Sequence, residues 1–206
     1  IMSGAIWALA YDIKTDDKAV YLDWFHNEHM AEKLARDGYQ WAAHYQGQPH
    51  HVDDDENTGY VALFGGVSSA VFLNPSPAQL KLKQDAITRH MMGLRRPCRM
   101  AILAEEWAVP TGTAPQFDHA MLSITLLAAG EAGETLGAWA VQQLLPVVAG
   151  LGQMRKLISM TGPPHHYLIH HSPGDNISPV ADEADRMLAA NPAITLVDHW
   201  RGTRIA

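Results

Sequence analysis

The chain has 206 residues, of which 47% are hydrophobic and 18% are charged, and its formal net charge is -7. This composition allows one large globular domain or two small ones, and it is unlike that of disordered or fibrous chains. The acidic balance disfavours a nucleic-acid partner, and no run of about 18 apolar residues predicts a membrane span. We recognise no signal peptide, that is, no charged segment followed by an apolar one before a cleavage site. Cys98 alone cannot form an intrachain disulfide, so we expect a cytoplasmic protein.

The first half of the chain reads in the order strand, helix, strand, strand, helix, strand. Its predicted strands are Ile6 to Ile13, Tyr39 to Tyr45, Tyr60 to Phe64 and Arg99 to Trp107. Its predicted helices are Asp16 to Arg36 and Val67 to Leu94, the second one interrupted at Asn74-Pro75-Ser76-Pro77. The polar stretch from Gly47 to Thr58 is predicted to be a loop.

The second half repeats this order after a Pro-, Gly- and Thr-rich stretch at residues 110–116, which predicts a linker. Its predicted strands are Ala120 to Leu127, Gln153 to Met160, His166 to His170 and Ile194 to Arg201, and its predicted helices are Glu134 to Ala149 and Ser178 to Ala190. An offset of 115 positions aligns Trp24 with Trp139. We therefore predict two tandem units, residues 1–109 and 117–206.

The order βαββαβ is typical of an α+β, ferredoxin-like unit with a four-stranded antiparallel sheet and helices on one face. The other face of each sheet is apolar and must be covered. Two such sheets packed face to face would solve this within one chain, which predicts a pseudo-dimeric α/β barrel. We expect a small-molecule ligand to lie between a sheet and its helices.

One segment carries a resemblance to a known family. The matching residues are Trp24-Phe25, Asn27, Glu28-His29, Glu32, Leu34 and Gly38-Tyr39, continued by Ala42-Ala43-His44-Tyr45. They resemble the dimeric α/β-barrel superfamily, especially EthD-like proteins. That superfamily includes cofactor-free monooxygenases, lactone isomerases, polyketide cyclases, dehydratases, decarboxylases and haem enzymes.

The resemblance implies that His29 is an acid–base residue, a role that suits the ordinary pKa of histidine near neutrality. We add Glu28 as a residue that tunes His29, and Tyr45 as a hydrogen-bond donor to the substrate. The predicted function is a cofactor-independent lyase or isomerase acting on a small apolar, aromatic or polyketide-like metabolite. The alternatives are a cofactor-free monooxygenase and a non-catalytic stress protein that binds a hydrophobic ligand. The resemblance also allows a homodimer.

The two halves differ at the key position. The family has a proline two residues after the histidine, where this chain has Ala31. The second half keeps Pro146 at the matching place but has Leu144 in place of the histidine. We therefore expect one active pocket per chain, in the first half.

A helical wheel complicates the role of His29. On a straight helix, Val20, Trp24, Glu28, Ala31 and Ala35 share one face, and His29 lies away from it. Either His29 is a surface residue, or the helix bends between Glu28 and Ala31.

Further residues are candidates for contact with the substrate. These are Trp7, Tyr11, Trp24, His26, Tyr39, Trp41 and His44, with ordinary core packing as the alternative. In the second strand, Tyr39, Trp41, Ala43 and Tyr45 are predicted to face one way and His44 the other. Arg89, Arg95, Arg96 and Arg99 either hold a substrate carboxylate or form a solvated surface. The histidines at 26 and 29, 50 and 51, and 165 to 171 match no recognised metal motif, so we predict no metal and no cofactor.

Overall fold

The computed structural model describes residues 4–53, 56–109, 121–128, 133–148, 153–172 and 179–206. Eight strands form a closed antiparallel barrel in the order β1-β3-β2-β8-β5-β7-β6-β4. The strands are β1 (Ala5–Lys14), β2 (Tyr39–Gly47), β3 (Asn57–Gly66), β4 (Arg95–Val109), β5 (Met121–Ala128), β6 (Gln153–Ser159), β7 (His166–Ser172) and β8 (Thr195–Arg204). The predicted linker at residues 110–116 lies outside the described residues.

Helices cover the outside of this barrel. They are α1 (Lys18–Trp24), α2 (Met30–Leu34), α3 (Pro77–Leu82), α4 (Ala86–Gly93), α5 (Gly133–Trp139), α6 (Leu145–Val148) and α7 (Pro179–Ala189). The long helix predicted between Val67 and Leu94 is divided into a short 3-10 turn, α3 and α4. α3 begins with a capping box formed by Ser76 and Gln79, and Asp85 caps α4, so each piece has its own start signal. Among the described helices, none has the length and apolar character that crossing a bilayer requires.

The strand order repeats in the two halves of the barrel. The first half contributes β4-β1-β3-β2 and the second contributes β8-β5-β7-β6. The halves join where β2 pairs with β8 and where β4 pairs with β6. Side chains from both halves, including Tyr45, Leu63, Ile124 and Leu157, fill the barrel interior.

The strands present different residues to the helices and to the interior because successive side chains alternate. In β1, Trp7 and Tyr11 pack under the helices, whereas Ala8 and Ala10 pack against the barrel core. In β2, Trp41, Ala43 and Tyr45 point inward, as the alternation predicts. Tyr39 does not join them: its ring packs against Phe72 on the helix side, at 5.0 Å between centroids.

The prediction for Tyr39 is wrong because the pairing of β2 with β3 shifts register between Tyr39 and Trp41. A shift of this kind inserts a residue and reverses which face the preceding side chain occupies. Tyr39 therefore belongs to the core beneath the helices and not to the barrel interior.

The first helical segment contains a π-helical turn at Phe25–His29, between α1 and α2. Its wide turn is marked by a hydrogen bond from the Met30 N–H to the Phe25 carbonyl, five residues earlier. Buried side chains consequently follow two columns with one five-residue step each. These columns are Tyr21, Phe25, Met30 and Trp24, His29, Lys33. The helix is interrupted by a π-helical turn at Phe25–His29, which overlaps only the start of the segment from Glu28 to Ala31 where the wheel predicts a bend.

The π-helical turn also corrects the straight wheel. An extra residue in the turn rotates everything after it by roughly 100°. Glu28, Ala31 and Ala35 are therefore exposed, and Val20 before the turn is exposed as well. The expectation that Glu28 is a carboxylate on an apolar face is wrong.

The second half carries a matching turn. Ala140–Leu144 is also π-helical, and the Leu145 N–H binds the Ala140 carbonyl. Trp139 and Leu144 are buried there, as Trp24 and His29 are in the first half. An apolar side chain thus occupies the position that corresponds to His29.

Candidate functional site

A cavity of about 430 Å³ lies between the sheet and the helices of the first half. Trp7 of β1, Leu80 of α3 and Met92 of α4 form its apolar walls. Among the described residues that line it, four are cationic and none carries a carboxylate; the cations are Lys33, Lys81, Arg89 and Arg95. A second cavity of about 330 Å³ adjoins it and shares Lys33, Leu80 and Gln84.

The charge of this cavity is opposite to that of the whole chain. The protein has 15 Lys and Arg residues against 22 Asp and Glu, yet the charged side chains that line the larger cavity, among the described residues, are all cationic. Like charges gathered around a low-dielectric space repel one another unless an anion joins them. The cavity is therefore suited to an anionic or oxygen-rich ligand with an apolar body.

Lys33 is the most unusual of these cations because its side chain is only 5% exposed. Its Nζ atom lies 5.9 Å from the centre of the Trp7 ring. Burial lowers the pKa of Lys33 to about 8, and the nearby guanidinium of Arg36 acts in the same direction. The charged and the neutral form of the amine therefore coexist near neutral pH.

Two buried nitrogen atoms near Lys33 have no hydrogen-bond partner in the described part of the chain. They are Nε1 of Trp7 and Nδ1 of His29. Nδ1 of His29 is 3.9 Å from a carboxylate oxygen of Glu32, which is too long for a hydrogen bond. Buried polar atoms without partners are uncommon, and those near a cavity are candidates to meet a ligand.

His29 is held between aromatic rings. Its ring centre lies 4.7 Å from that of Trp24 and 5.5 Å from that of Phe25, and only 3% of the residue is exposed. Burial lowers the pKa of His29 to about 2, and the charges of Lys33, Arg95 and Arg36 contribute further. The imidazole is therefore neutral at physiological pH. It lies one turn before Lys33 and does not itself line the cavity.

A chain of hydrogen bonds runs through the same core and ends at Arg95. Nε of Arg95 donates to the Tyr21 hydroxyl at 2.6 Å, and Tyr21 donates to the Tyr11 hydroxyl at 2.9 Å. Tyr11 lies 2.8 Å from Nε2 of His44, whose Nδ1 lies 2.8 Å from Nε2 of His26. His26 is partly exposed, so the chain connects the surface with the cationic cavity.

The direction of donation in this chain follows from its cationic end. An arginine can only donate, so each group along the chain accepts from one neighbour and donates to the next. His44 then carries its proton on Nδ1 and is neutral. Burial lowers the pKa of both His44 and His26, which agrees with that state. The guanidinium of Arg95 also stacks 4.3 Å from the centre of the Tyr11 ring, so the chain positions it.

Replacing Tyr11 by phenylalanine is expected to destabilise the protein by about 1–3 kcal/mol, because the Tyr21 hydroxyl and Nε2 of His44 would lose a buried partner. Urea unfolding measures this change. Tyr60→Phe is the matched control, since the Tyr60 hydroxyl contacts Gln46 at 3.5 Å and Thr58 and is not part of the chain that ends at Arg95. Equal losses in the two variants would contradict the hydrogen-bonded chain.

The residues predicted from the sequence separate into three groups. Trp7, Tyr11, Trp24, His26, His29, Tyr39 and His44 lie together beneath the helices of the first half. Trp41 and Tyr45 lie in the barrel interior, on the other face of the sheet. Glu28 is exposed on the first helical segment. The sheet therefore separates Tyr45 from His29, so the two cannot act on one substrate beneath the helices.

Sequence reasoning missed Lys33 and Tyr21. A signal for Lys33 exists, because it follows His29 by four residues and so shares its helical face. Arg89 and Arg95 were part of the arginine set proposed to hold a carboxylate, and both line the cavity. Of the other two, Arg96 binds Asp53 and Arg99 lies 4.0 Å from Asp198.

The remaining histidines have structural surroundings. Asp12 is fully buried and accepts hydrogen bonds from the backbone N–H groups of His50 and His51 and from the His51 ring. This contact fastens the loop before β3 to the sheet. Within the ranges that the structure describes, no three His, Cys, Asp or Glu side chains converge as a metal site would require.

Several solved structures share this architecture over nearly the whole chain. An anthrone oxidase-like protein matches with a TM-score of 0.60 and 13% identity, over 99% of this chain and 92% of its own. A candidate monooxygenase from Fusobacterium nucleatum gives 0.59 and 10%, over 99% and 93%. A chlorite dismutase variant from Candidatus Nitrospira defluvii gives 0.59 and 8%, over 100% and 92%.

Comparison with protein-family models and with curated proteins found no match. The structural matches have low identity, so what they establish is the architecture. This chain has the fold of the dimeric α+β barrel proteins, with both halves of the barrel in one polypeptide.

Proposed function

We propose that the protein is a cofactor-independent enzyme that moves a proton on a small, largely apolar, aromatic or polyketide-like metabolite. The reaction is of the lyase or isomerase type: a dehydration, a decarboxylation or an isomerisation. The observation that supports it best is the cationic cavity at Lys33, whose lining includes Trp7 with its unpartnered Nε1. His29, with its unpartnered Nδ1, lies one helical turn before Lys33.

The chemistry that this arrangement supports is proton transfer next to a carbonyl group. Removing a proton from such a carbon places negative charge on the carbonyl oxygen. Lys33, Arg95 and the Trp7 N–H are donors that can stabilise that charge. We assign His29 as the acid–base group and Lys33 as the group that holds the oxygen.

An anionic ligand would also change the basicity of His29. The charges of Lys33, Arg95 and Arg36 contribute to the low pKa of His29 in the free protein. A bound anion offsets those charges and raises the pKa of His29 above its value in the free protein, while burial, the largest cause of the low pKa, continues to lower it. The basicity of His29 would thus increase when the substrate is bound.

The second candidate is a cofactor-free monooxygenase. Its support is the fold shared with a candidate monooxygenase and an anthrone oxidase-like protein. A cavity that stabilises a deprotonated substrate would serve this reaction too, because the carbanion is the species that reacts with oxygen. A non-catalytic protein that binds a hydrophobic ligand is the third candidate.

We also propose that the chain arose from two tandem ferredoxin-like units and that only the first one is active. The strand order, the π-helical turns at Phe25–His29 and Ala140–Leu144, and the paired Trp24 and Trp139 support this origin. Leu144 in place of His29 removes the acid–base group from the second unit.

The proposed function is tested with a panel of β-keto acids, aryl ketones and hydroxyaryl ketones in deuterated water. We expect deuterium to enter the carbon next to the carbonyl of a compound that the protein binds. His29→Gln should slow this exchange about 10²–10⁴-fold, the range for loss of an acid–base group. Proton NMR measures the exchange, and oxygen uptake separates the monooxygenase from the lyase or isomerase.

The control is His90→Gln, which changes an exposed histidine on α4. It should exchange at the wild-type rate. Binding of several panel compounds with neither exchange nor oxygen uptake would favour the binding protein instead. A deuterium exchange rate in His29→Gln within about threefold of the wild-type rate would show that His29 is not part of the mechanism.

A further inference from the structure

We propose that Lys33 is a covalent catalyst, whose amine forms an imine with the carbonyl carbon of a substrate that also carries a carboxylate. This inference rests on the proposed function, because it concerns the same cavity. It makes Lys33 a nucleophile that displaces the carbonyl oxygen, in place of a group that only holds it, and it narrows the substrate class to aldehyde or keto acids with an apolar body.

The Lys33 amine faces the cleft from a buried position. Lys33 is 5% exposed overall, yet it lines both cavities of the cleft between α2 and the pair α3 and α4. Among the described residues, no hydrogen bond or ion pair reaches its Nζ atom; its one close polar contact is the face of the Trp7 ring. A buried amine that faces an open cavity without a partner is placed to react with what enters it.

The other buried lysine described, Lys156, has different surroundings. Lys156 is 1% exposed, and its Nζ atom contacts a carboxylate oxygen of Glu106, the Leu157 carbonyl at 3.2 Å and Nδ1 of His166 at 3.0 Å. That amine has three partners, which is the usual condition of a buried cation. Lys33 lacks such partners, so its burial is not compensated as the burial of Lys156 is.

The protonation state of Lys33 also favours attack on a carbonyl group. An amine attacks a carbonyl only when it is neutral, and burial beside other cations favours the neutral form. Since the pKa of Lys33 is lowered to about 8, about one amine in ten is neutral at pH 7. The charged groups around it are Glu32 and Arg36 on its own helical segment, Lys81, Lys83, Asp85 and Arg89 across the cleft, and Arg95 on β4.

Imine formation replaces the C=O bond of the substrate by a C=N bond to Lys33. The lone pair of Lys33 Nζ forms a bond to the carbonyl carbon, and the electron pair of the C=O bond moves to oxygen, which takes a proton. Loss of this oxygen as water leaves a C=N bond between the lysine and the substrate. In its protonated form the imine draws electrons from a neighbouring C–H or C–carboxylate bond, which is the bond that a lyase or isomerase must break.

The substrate class follows from the charge of the cavity. A protonated imine keeps the positive charge of Lys33 among Lys81, Arg89 and Arg95, and within the described ranges no carboxylate lines that cavity, although Glu32 and Asp85 line the adjoining one. A carboxylate on the substrate would supply the missing negative charge. Arg95 and Arg89 are guanidinium groups, which bind a carboxylate through two parallel hydrogen bonds.

The test uses 4-carboxybenzaldehyde as the probe and sodium cyanoborohydride, which reduces an imine to a stable amine. After short incubation of the full chain at pH 7, peptide mass spectrometry locates the label. We expect Lys33 to be labelled at least about tenfold faster than the exposed Lys81 and Lys83, and Lys156 to stay unlabelled. Benzaldehyde, which lacks the carboxylate, should label Lys33 at least about fivefold more slowly.

Two further measurements secure the result. The rate of Lys33 labelling should rise with pH through a midpoint near 8, as the pKa of Lys33 requires. Lys33→Met should abolish the fast label while leaving the circular dichroism spectrum unchanged; if that variant does not fold, Lys33→Arg replaces it. Labelling of Lys33 no faster than that of Lys81 and Lys83 would overturn the proposal.

The outcome is separable from that of the proposed function. His29→Gln should still be labelled at Lys33, although it loses deuterium exchange. Exchange that depends on His29, without preferential labelling of Lys33, would refute the imine and keep the acid–base mechanism. Preferential labelling of Lys33, together with exchange that does not depend on His29, would support the imine and refute the acid–base role of His29.

Discussion

Replacing Gly65 by alanine is expected to destabilise the protein by about 3 kcal/mol or more, near the upper end of the range for overpacking a core. Gly65 of β3 lies opposite Trp41 of β2, and the indole ring lies over the glycine. A Cβ atom at Gly65 would lie 1.8 Å from Nε1 and 2.0 Å from Cε2 of Trp41. Trp41 is 5% exposed within the barrel interior, so its ring has no free space to enter.

The measurement is thermal or urea unfolding of Gly65→Ala against the wild type. For a chain of this size the loss corresponds to a fall in melting temperature of roughly 10 °C. Gly137→Ala is the matched control, because nothing lies within 4 Å of a Cβ there and the residue is inside α5. That change should stabilise the helix by about 0.5–1 kcal/mol.

A second variant tests the cause. In Gly65→Ala combined with Trp41→Leu, the smaller side chain leaves room for the new methyl group. The double variant should therefore lose less than the sum of the two single losses. Full additivity, or a single Gly65→Ala variant as stable as the wild type, would show that the Trp41 ring does not rest on Gly65.

Lowering the pH from 7 to 5 is expected to destabilise the fold through its buried histidines. The pKa of His29 falls from 6.5 to about 2 on folding, and burial sets the pKa of His44 well below 6.5 as well. Below pH 6.5 the unfolded chain binds protons that these folded histidines do not, so stability falls as the pH falls. At pH 5, His29 alone contributes a loss of about 2 kcal/mol relative to pH 7.

The sign and the window of this effect can both be checked. The free energy of unfolding should be nearly flat above pH 7 and decline between pH 6.5 and the folded pKa values. In His29→Gln one such histidine is absent, so the decline from pH 7 to 5 should be smaller by about 2 kcal/mol. His90→Gln should follow the wild-type curve. Stability that rises between pH 7 and pH 5 would show that these histidines are charged in the folded state.

Much of the architecture could be predicted from local pattern. Alternating apolar residues located the strands of the first half, and Ser76 and Asp85 mark helix starts that the structure uses. The repeat offset of 115 also predicts which residue replaces His29, because the two π-helical turns obey it. These features depend on residues close together in sequence, where side-chain period and capping chemistry decide the outcome.

The site depended on events that local pattern does not encode. One extra residue in the turn Phe25–His29 moved His29 and Lys33 inward and Glu28 outward. A register shift in β2 moved Tyr39 to the helix side. Each is a single-residue insertion whose cost is small, and packing against the sheet decides where it occurs.

The sequence by itself determined the succession of strands and helices, the apolar face of most strands, and the presence of His29 in the first half where the aligned position of the second half holds Leu144. The tertiary structure decided which charges share a cavity. Lys33 and Arg95 are 62 positions apart in the chain, and they line one cavity because β4 pairs with β1, whose Trp7 ring faces the Lys33 amine. Sequence periodicity reports the face on which a residue lies, whereas its neighbours across a cavity depend on how whole elements pack.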